Sequence, residues 1–196
     1  MGFLANTFKT FTAYMRSQQT PLIRILHLAI FLLVISQVIV SNFIEITKTG
    51  EIGDKPVELY ATWLHIGTGL VLLPLALVFF FVVWDRRGFK YFFPYLAGNL
   101  APLKSDVRQL TRFQLPEPTD GGIAAIIQGL GFGALFLVLI SGLGWFVAWN
   151  LNLPWSHDAK EIHEFLTGIL EAYLIGHGSM GLLHIYFGPK LQASNT

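Results

Sequence analysis

Five histidines lie within long apolar segments of this 196-residue chain, and they are the residues whose chemistry is easiest to define: His27, His65, His163, His177 and His184. Ionisable side chains inside a bilayer cost free energy and usually face the interior of a helix bundle. A neutral imidazole can ligate a transition metal through one ring nitrogen while the other nitrogen forms a hydrogen bond. For any single one of these histidines, a structural hydrogen bond is an equal alternative. The interpretation therefore depends on how the histidines are spaced as a set.

The composition indicates a membrane protein and limits the cofactors that the chain can hold. Hydrophobic residues make up 53% of the chain and charged residues 13%, with a mean hydropathy of +0.56, whereas soluble domains carry about 25% charged residues. The absence of cysteine excludes disulfides, cysteine-ligated iron–sulfur clusters and covalent haem attachment. The net charge of +1 gives no basic excess for binding nucleic acid.

Four apolar segments are long enough to cross a membrane, because a hydrocarbon core of roughly 30 Å requires about 20 helical residues. They cover residues 22–43, 59–84, 122–149 and 162–187. We predict an all-α integral membrane four-helix bundle that forms a single domain. Apolar residues at helical spacing in 1–20 favour an interfacial helix in contact with lipid, with a disordered tail as the alternative. Four prolines in 85–120 favour a loop with at most short helices.

The distribution of charge predicts the orientation of these spans. Ten of the 13 Lys and Arg residues lie in the amino-terminal segment, the connection 85–120 and the carboxyl-terminal tail. By the positive-inside bias, both termini and that connection are cytoplasmic. The tryptophans agree with this orientation, since Trp84 falls at the inner boundary and Trp63, Trp149 and Trp155 fall at the outer one.

In this orientation four of the histidines form two pairs at two depths. His163 and His177 are 14 residues apart, close to four helical turns, so they share one face and lie ~21 Å apart along the axis. His65 then lies at the outer level with His163, and His27 lies at the inner level with His177. A bis-histidine iron requires two imidazoles from facing helices at one depth. The spacing supplies two such pairs and predicts two haem groups.

Glycines beside the histidines are compatible with the room that a flat macrocycle requires, although small-residue packing of membrane helices explains them equally well. They are Gly67, Gly69, Gly129, Gly131, Gly133, Gly142, Gly144, Gly176, Gly178 and Gly181. A metal-transport site would instead need several ligands clustered at one level. The spans show no such cluster.

The pattern resembles the bacterial cytochrome b561 family and the related cytochrome b subunits of membrane-bound Ni-Fe hydrogenases and formate dehydrogenases, and the resemblance covers most of the chain. It depends on Arg24-Ile-Leu-His27, Trp63-Leu-His65, and the run from His163-Glu164 through Gly176-His177 to His184-Ile-Tyr186-Phe187. The resemblance implies a dihaem electron carrier of the bacterial inner membrane with non-covalent haem b, which exchanges electrons with ubiquinone or menaquinone. Some relatives also carry a histidine in the third span near Gln128, and its absence here leaves both ligand pairs intact.

Further polar residues are candidate contacts of these cofactors. Arg24 could pair with haem propionates, and Gln128 could hydrogen-bond a propionate or a quinone. His184 could be an alternative ligand, a propionate contact or a quinone partner. Chain orientation is the alternative role for Arg24, and interfacial anchoring is the alternative for His184. Glu171, between the two histidine levels, is expected to hydrogen-bond a neighbouring helix, with proton handling as the alternative. His157 is expected to have no specific role, with contact to haem propionates or to an external partner as the alternatives.

The leading hypothesis is electron transfer across the inner membrane between the quinone pool and a periplasmic or cytoplasmic redox protein. Within the same class, the chain could be a self-contained quinone-linked oxidoreductase such as a superoxide oxidase. The hypothesis from another class is a non-haem membrane transporter or structural subunit whose histidines serve packing. The sequence does not identify catalytic residues, and it leaves open the direction of electron flow and the oligomeric state, a homodimer included.

Overall fold

The computed structural model describes residues 20–194, with side chains described for residues 20–183. Six α-helices and one short 3-10 helix make up its regular structure: α1 Pro21–Ser41, α2 Pro56–Arg87, α3 Phe89–Phe92, the 3-10 helix Pro94–Ala97, α4 Ala101–Thr111, α5 Ile123–Asn150 and α6 Ser156–Ser194. Within the described range there is no β-strand, only an isolated antiparallel bridge between Ile46 and Ile52. The predicted all-α class is confirmed. The helix predicted for residues 1–20 and the side chain of His184 lie outside the described parts, apart from Thr20.

Three of the described helices, α1, α2 and α5, are long and apolar enough to cross a membrane. Only 22–28% of the most apolar stretch of each is buried inside the protein, so large apolar side chains such as Phe81 and Ile140 face outward, where lipid can cover them. The chain is therefore a helical membrane protein. Helix α6 contains the fourth predicted span, 162–187, but is less apolar because Lys160, Glu164 and Glu171 lie within it.

The two helices that carry the first histidines begin with proline. Pro21 and Pro56 stand at the first helical positions, where the missing N–H of proline costs nothing and its fixed φ suits the helix. At the start of α2, the Glu58 carboxylate accepts hydrogen bonds from the backbone N–H of Lys55 at 3.2 Å and from its Nζ at 2.6 Å. The first of these bonds satisfies a backbone donor that the helix leaves free, and together they fix where α2 starts.

The described chain divides into two compact units. One unit, named the cavity unit, comprises Ile25–Val82 and Phe132–Ala172; the other, the loop unit, comprises Val83–Gly131 with residues 20–24 and 173–194. In the cavity unit, parts of α1, α2, α5 and α6 pack together around apolar side chains. The buried ones are Ile30, Val34, Ala61, Ile66, Leu72, Ala76, Leu135, Val138, Leu139, Trp145, Ala148 and Leu170, among others. These segments hold three of the four predicted ligands, His27, His65 and His163.

The loop unit is organised around an aspartate. Asp106 on α4 is 4% exposed, and its Oδ2 accepts a 2.8 Å hydrogen bond from the backbone N–H of Ile123, the first residue of α5. A carboxylate at this position satisfies a donor of the helix start and interacts favourably with the helix dipole. Phe92, on α3, is 1% exposed and packs against Gly129 of α5. The segment predicted as a loop, 85–120, thus contains short helices fixed to the start of α5.

Candidate haem site

His65 on α2 and His163 on α6 face each other across the cavity unit. Their ring centroids are 6.2 Å apart and their planes are inclined at 76°. Two metal–imidazole bonds of about 2 Å each place the two ligating nitrogens about 4 Å apart, and the ring centres lie farther back on each side. The observed separation therefore suits two imidazoles that ligate one metal ion from opposite sides. The sequence paired these two residues by their depth in the membrane, although they lie on different helices. The structure brings them together.

The His163 ring is oriented by its neighbours on α5. Its Nδ1 lies 3.1 Å from the carbonyl oxygen of Val138 and 3.1 Å from the hydroxyl of Ser141. Because a carbonyl oxygen can only accept, Nδ1 carries the ring hydrogen and Nε2 is left as the nitrogen with a lone pair. Gly142 allows the ring to lie here, since a Cβ at that position would come within 2.9 Å of His163 Cε1. A histidine that ligates a metal through Nε2 requires this tautomer, and its hydrogen bond at Nδ1 fixes the ring.

His65 differs from His163 in the hydrogen bonding of its ring. Among the described residues, its Nδ1 is a fully buried side-chain nitrogen without a hydrogen-bond partner. Buried polar groups are nearly always hydrogen-bonded, so an exception calls for an explanation. A metal ion bound through this nitrogen would account for its lack of a hydrogen bond in an apolar surrounding. The pair His65 and His163 could therefore hold one metal ion between them.

A cavity of about 340 Å³ lies within the cavity unit, and both histidines line it. This volume is within the ~300–1,000 Å³ that cofactor pockets occupy. Its walls are mostly aliphatic and aromatic side chains of α1, α2, α5 and α6. The polar groups that line it are Gln37, Ser41, His65, Lys160, His163, Glu164, Thr167 and Glu171. Apolar walls with a few polar groups suit a flat macrocycle that carries two carboxylates.

The other two predicted ligands lie in different units, and their pairing stays a prediction. His27 is half-buried in the cavity unit, with its ring 5.9 Å from that of Phe79. His177 is half-buried in the loop unit and stacks on Tyr173, with ring centroids 5.3 Å apart and planes at 10°. Tyr173 packs so closely on Gly131 that a Cβ at this glycine would overlap the phenol ring.

The family model described as prokaryotic cytochrome b561 matches residues 18–195. The chain belongs to this family. The resemblance predicted from the histidine segments is thereby confirmed, and membership implies a b-type membrane cytochrome that binds haem b and takes part in electron transfer. No curated protein and no solved structure matches the chain.

In this cytochrome b561, Gln128 belongs to a polar cluster of the loop unit. Its Oε1 accepts a hydrogen bond from Arg87 Nη1 at 3.4 Å, and Arg87 also donates to the Tyr91 hydroxyl. The guanidinium lies 4.6 Å from the centre of the Tyr91 ring, close enough for a cation–π contact. The four-residue spacing of Arg87 and Tyr91 could have suggested their contact, but nothing in the sequence links them to Gln128. Contacts of Gln128 with a propionate or quinone stay a prediction.

Two other residues that the sequence analysis discussed, Arg24 and His157, do not line the cavity. Arg24 is half-buried near the start of α1, in the loop unit, and its predicted contact with haem propionates stays a prediction. His157 lies in the first turn of α6 with Asp158 and Glu161, and one ligand atom of each lies within 4.8 Å of the others. These groups are at a helix N-terminus, where the dipole disfavours a cation. We assign no metal to them, and the role of His157 stays a prediction.

Several polar residues of the cavity were not singled out as cofactor contacts from the sequence, Gln37, Lys160 and Glu164 among them. Gln37 Nε2 donates to Thr68 Oγ1, which in turn donates to the Leu64 carbonyl oxygen at 2.5 Å. The sequence did contain a signal for Gln37, because a glutamine within an apolar membrane span usually has a hydrogen-bond partner. Glu171, named from the sequence for its position between histidine levels, also lines the cavity.

Proposed function

We propose that this cytochrome b561 binds two haem b groups by bis-histidine ligation and transfers electrons across the bacterial inner membrane. One haem is held by His65 and His163, and the other by His27 and His177. In this proposal α1, α2, α5 and α6 all span the membrane with both termini in the cytoplasm. Electrons pass between the quinone pool, as ubiquinone or menaquinone, and a redox protein.

The observation that carries the proposal is the facing pair of imidazoles in the cavity unit. The separation of 6.2 Å between ring centroids, the buried Nδ1 of His65 without a described partner and the hydrogen bond from His163 Nδ1 to Val138 all favour axial ligation of one iron. Family membership favours a b-type cytochrome over the non-haem transporter or structural subunit. The second haem is supported by the 14-residue spacing of His163 and His177 on one continuous helix.

The protein residues have defined tasks in this proposal. Val138 and Ser141 fix the His163 ring and increase its basicity as a ligand through the hydrogen bond at Nδ1. The apolar walls of the cavity exclude water, which together with ligand identity sets the redox potential. When bound, haem b supplies one-electron oxidation and reduction of iron. The chain contributes orientation, burial and the surrounding charges.

The test is a measurement of haem content and visible absorption on the purified full-length protein. We expect a reduced-minus-oxidised spectrum of b type and two haems for each chain. His65→Ala and His163→Ala should each remove the same haem, and His27→Ala and His177→Ala should remove the other. His157→Ala is the matched control, because this histidine lies outside both pairs, and it should retain two haems. Absence of b-type absorption would refute the proposal, and loss of both haems from folded His27→Ala would refute the pairing.

Quinone exchange needs a separate measurement. Ubiquinol or menaquinol should reduce the haems of the detergent-purified protein, and the oxidised quinone should reoxidise them. The rate with each quinone identifies the preferred partner. Haems that respond to neither quinone in a fully loaded protein would remove the quinone pool from the proposal and leave the haem ligation intact.

A further inference from the structure

Lys160 is placed unusually for a lysine of a membrane helix. Among the described residues that line the cavity, it is the only lysine or arginine. Its Nζ forms an ion pair with Glu164 Oε1 at 2.8 Å, one turn along α6. The Lys160 side chain is 29% exposed and that of Glu164 is 59% exposed, so the ammonium is more shielded from water than the carboxylate that neutralises it. A shielded ammonium depends strongly on the negative groups available to it.

The charges along the cavity are unbalanced once a haem is considered. The lining contains one lysine and two carboxyl groups, those of Glu164 and Glu171. A haem b brings two propionates, and carboxylates that are partly withdrawn from water are stabilised by a cation within hydrogen-bond reach. In this cavity the described chain offers a single ammonium for that purpose. Glu164 and a propionate would therefore compete for the same partner.

The ion pair with Glu164 is of a kind that can be exchanged. Ion pairs four residues apart on an exposed helix surface contribute little to stability. A lysine ammonium sits on a flexible four-carbon stem and has three donors, so it can turn from one carboxylate to another or bridge two. Neither step requires any change in the backbone of α6.

We propose that Lys160 binds a propionate of the haem held between His65 and His163, and that Glu164 adjusts the redox potential of this haem by competing for the same ammonium. The inference rests on the proposed function, since it requires a haem at that pair. A positive charge near a haem stabilises the reduced iron relative to the oxidised iron, and a negative charge does the opposite. The potential of this haem thus depends on how Lys160 is shared.

The first experiment is redox titration of the purified dihaem protein. Lys160→Met should lower the midpoint potential of one haem. At a fixed applied potential, the ratio of reduced to oxidised haem should fall roughly tenfold, which corresponds to a decrease of about 59 mV for a one-electron couple. Lys160→Arg should restore most of the shift because it keeps the charge. Lys48→Met is the matched control: Lys48 lines a smaller neighbouring pocket with Lys160 but not the haem cavity, and its removal should leave both potentials unchanged.

Glu164→Gln should move the potential of the same haem in the opposite direction. Loss of the Glu164 carboxylate frees Lys160 for the propionate, so the midpoint potential should rise. The ratio of reduced to oxidised haem should change by less than the roughly tenfold expected for Lys160→Met. Glu161→Gln is the control, since Glu161 lies on the same helix, is 67% exposed and does not line the cavity. In the double variant with Lys160→Met, the effect of Glu164→Gln should largely vanish, because the two residues act through one ammonium.

The infrared reduced-minus-oxidised difference spectrum provides a readout that a purely structural lysine would not change. The carboxylate bands of the haem propionates should shift in Lys160→Met and stay in place in Lys48→Met. A protein with two haems whose potentials and propionate bands are unaffected by Lys160→Met overturns this inference while the proposed function stands. If Lys160→Met does not fold, the test uses Glu164→Gln and Lys160→Arg instead. The inference is overturned if the midpoint potential of the Glu164→Gln variant equals that of the unaltered protein.

Discussion

The polar groups of the loop unit and the two facing histidines of the cavity unit are satisfied in different ways. In the loop unit, the buried carboxylate of Asp106 accepts the N–H of Ile123, and Gln128 is bound by Arg87, so the chain satisfies these groups itself. In the cavity unit, His65 Nδ1 has no partner among the described residues, and the hydrogen bonds of His163 engage only its Nδ1. The difference teaches that polar groups satisfied within the chain maintain its architecture, whereas those left open mark the place of a ligand.

The largest effect should come from closing the space that the cavity unit keeps for His163. Gly142→Ala would put a Cβ within 2.9 Å of His163 Cε1, and a ring held at Nδ1 has little freedom to move. Overpacking of this kind costs about 1–3 kcal/mol, so we expect affinity for one haem to fall about tenfold or more. The haem-to-protein ratio after purification measures this loss. Gly144→Ala is the control, because nothing lies within 4 Å of its Cβ position, and an equal loss there would contradict the steric explanation.

The same contrast can be tested from the loop unit. Asp106→Ala removes the acceptor for the Ile123 N–H, and loss of such a cap costs about 0.5–2 kcal/mol. We expect a lower unfolding temperature with the absorption of the haem at His65 and His163 retained. Asp106→Asn keeps an oxygen acceptor and should lose less stability. A variant that loses that haem but keeps its unfolding temperature would reverse the roles assigned to the two units.

A smaller effect is expected from the hydroxyl that supports His163. Ser141→Ala removes a contact at Nδ1, and one hydrogen bond contributes about 0.5–1.5 kcal/mol. Without this contact the imidazole donates less electron density to the iron, so the midpoint potential of one haem should rise. At a fixed applied potential, the ratio of reduced to oxidised haem should increase a few-fold. Ser41→Ala is the comparison, since that hydroxyl donates to the Val38 carbonyl oxygen, as Ser141 does to Val138. Equal shifts in both variants would argue against a specific role for Ser141.

The smallest effect concerns the start of α2 and depends on pH. The hydrogen bond and the charge of Glu58 raise the pKa of Lys55 above its ordinary value of 10.5. A raised pKa means that this contribution to stability is fully present below pH 10.5 and is lost as pH rises through the higher pKa of the folded protein. Glu58→Gln should therefore reduce the alkaline loss of stability, measured as the change in unfolding temperature across that range. An alkaline loss of the same size in this variant would assign it to other groups.

The sequence predicted much of the helical architecture because apolar length is a local property. The segments 22–43, 59–84 and 122–149 correspond to α1, α2 and α5. Helix α2 extends three residues beyond its apolar segment at each end, and the ends of α1 and α5 differ from the predicted ones by one or two residues. The meeting of His65 and His163 could also be anticipated, since depth in a membrane follows from position along a helix. Helix geometry turns residue spacing into distance, which makes such a pair predictable.

What the sequence did not reveal depends on contacts between distant residues. The bond from Asp106 to Ile123 bridges 17 positions through a loop whose path no local pattern specifies. The acceptor for His163 Nδ1 is a main-chain carbonyl, which every residue possesses, so Val138 carries no signature. Lys160 was not singled out from the sequence, because its place on the cavity wall is determined by the packing of four helices.

Trp145 gives the protein an optical property of its own. It lines the cavity and stacks on Trp149 with ring centroids 5.7 Å apart, and Trp149 Nε1 donates to the Gly50 carbonyl oxygen at 2.7 Å. Porphyrins absorb light in the range where indoles emit, so a haem in the cavity should quench the fluorescence of this stacked pair. The intrinsic emission of the chain would then report, without any label, whether cofactor has been inserted during assembly.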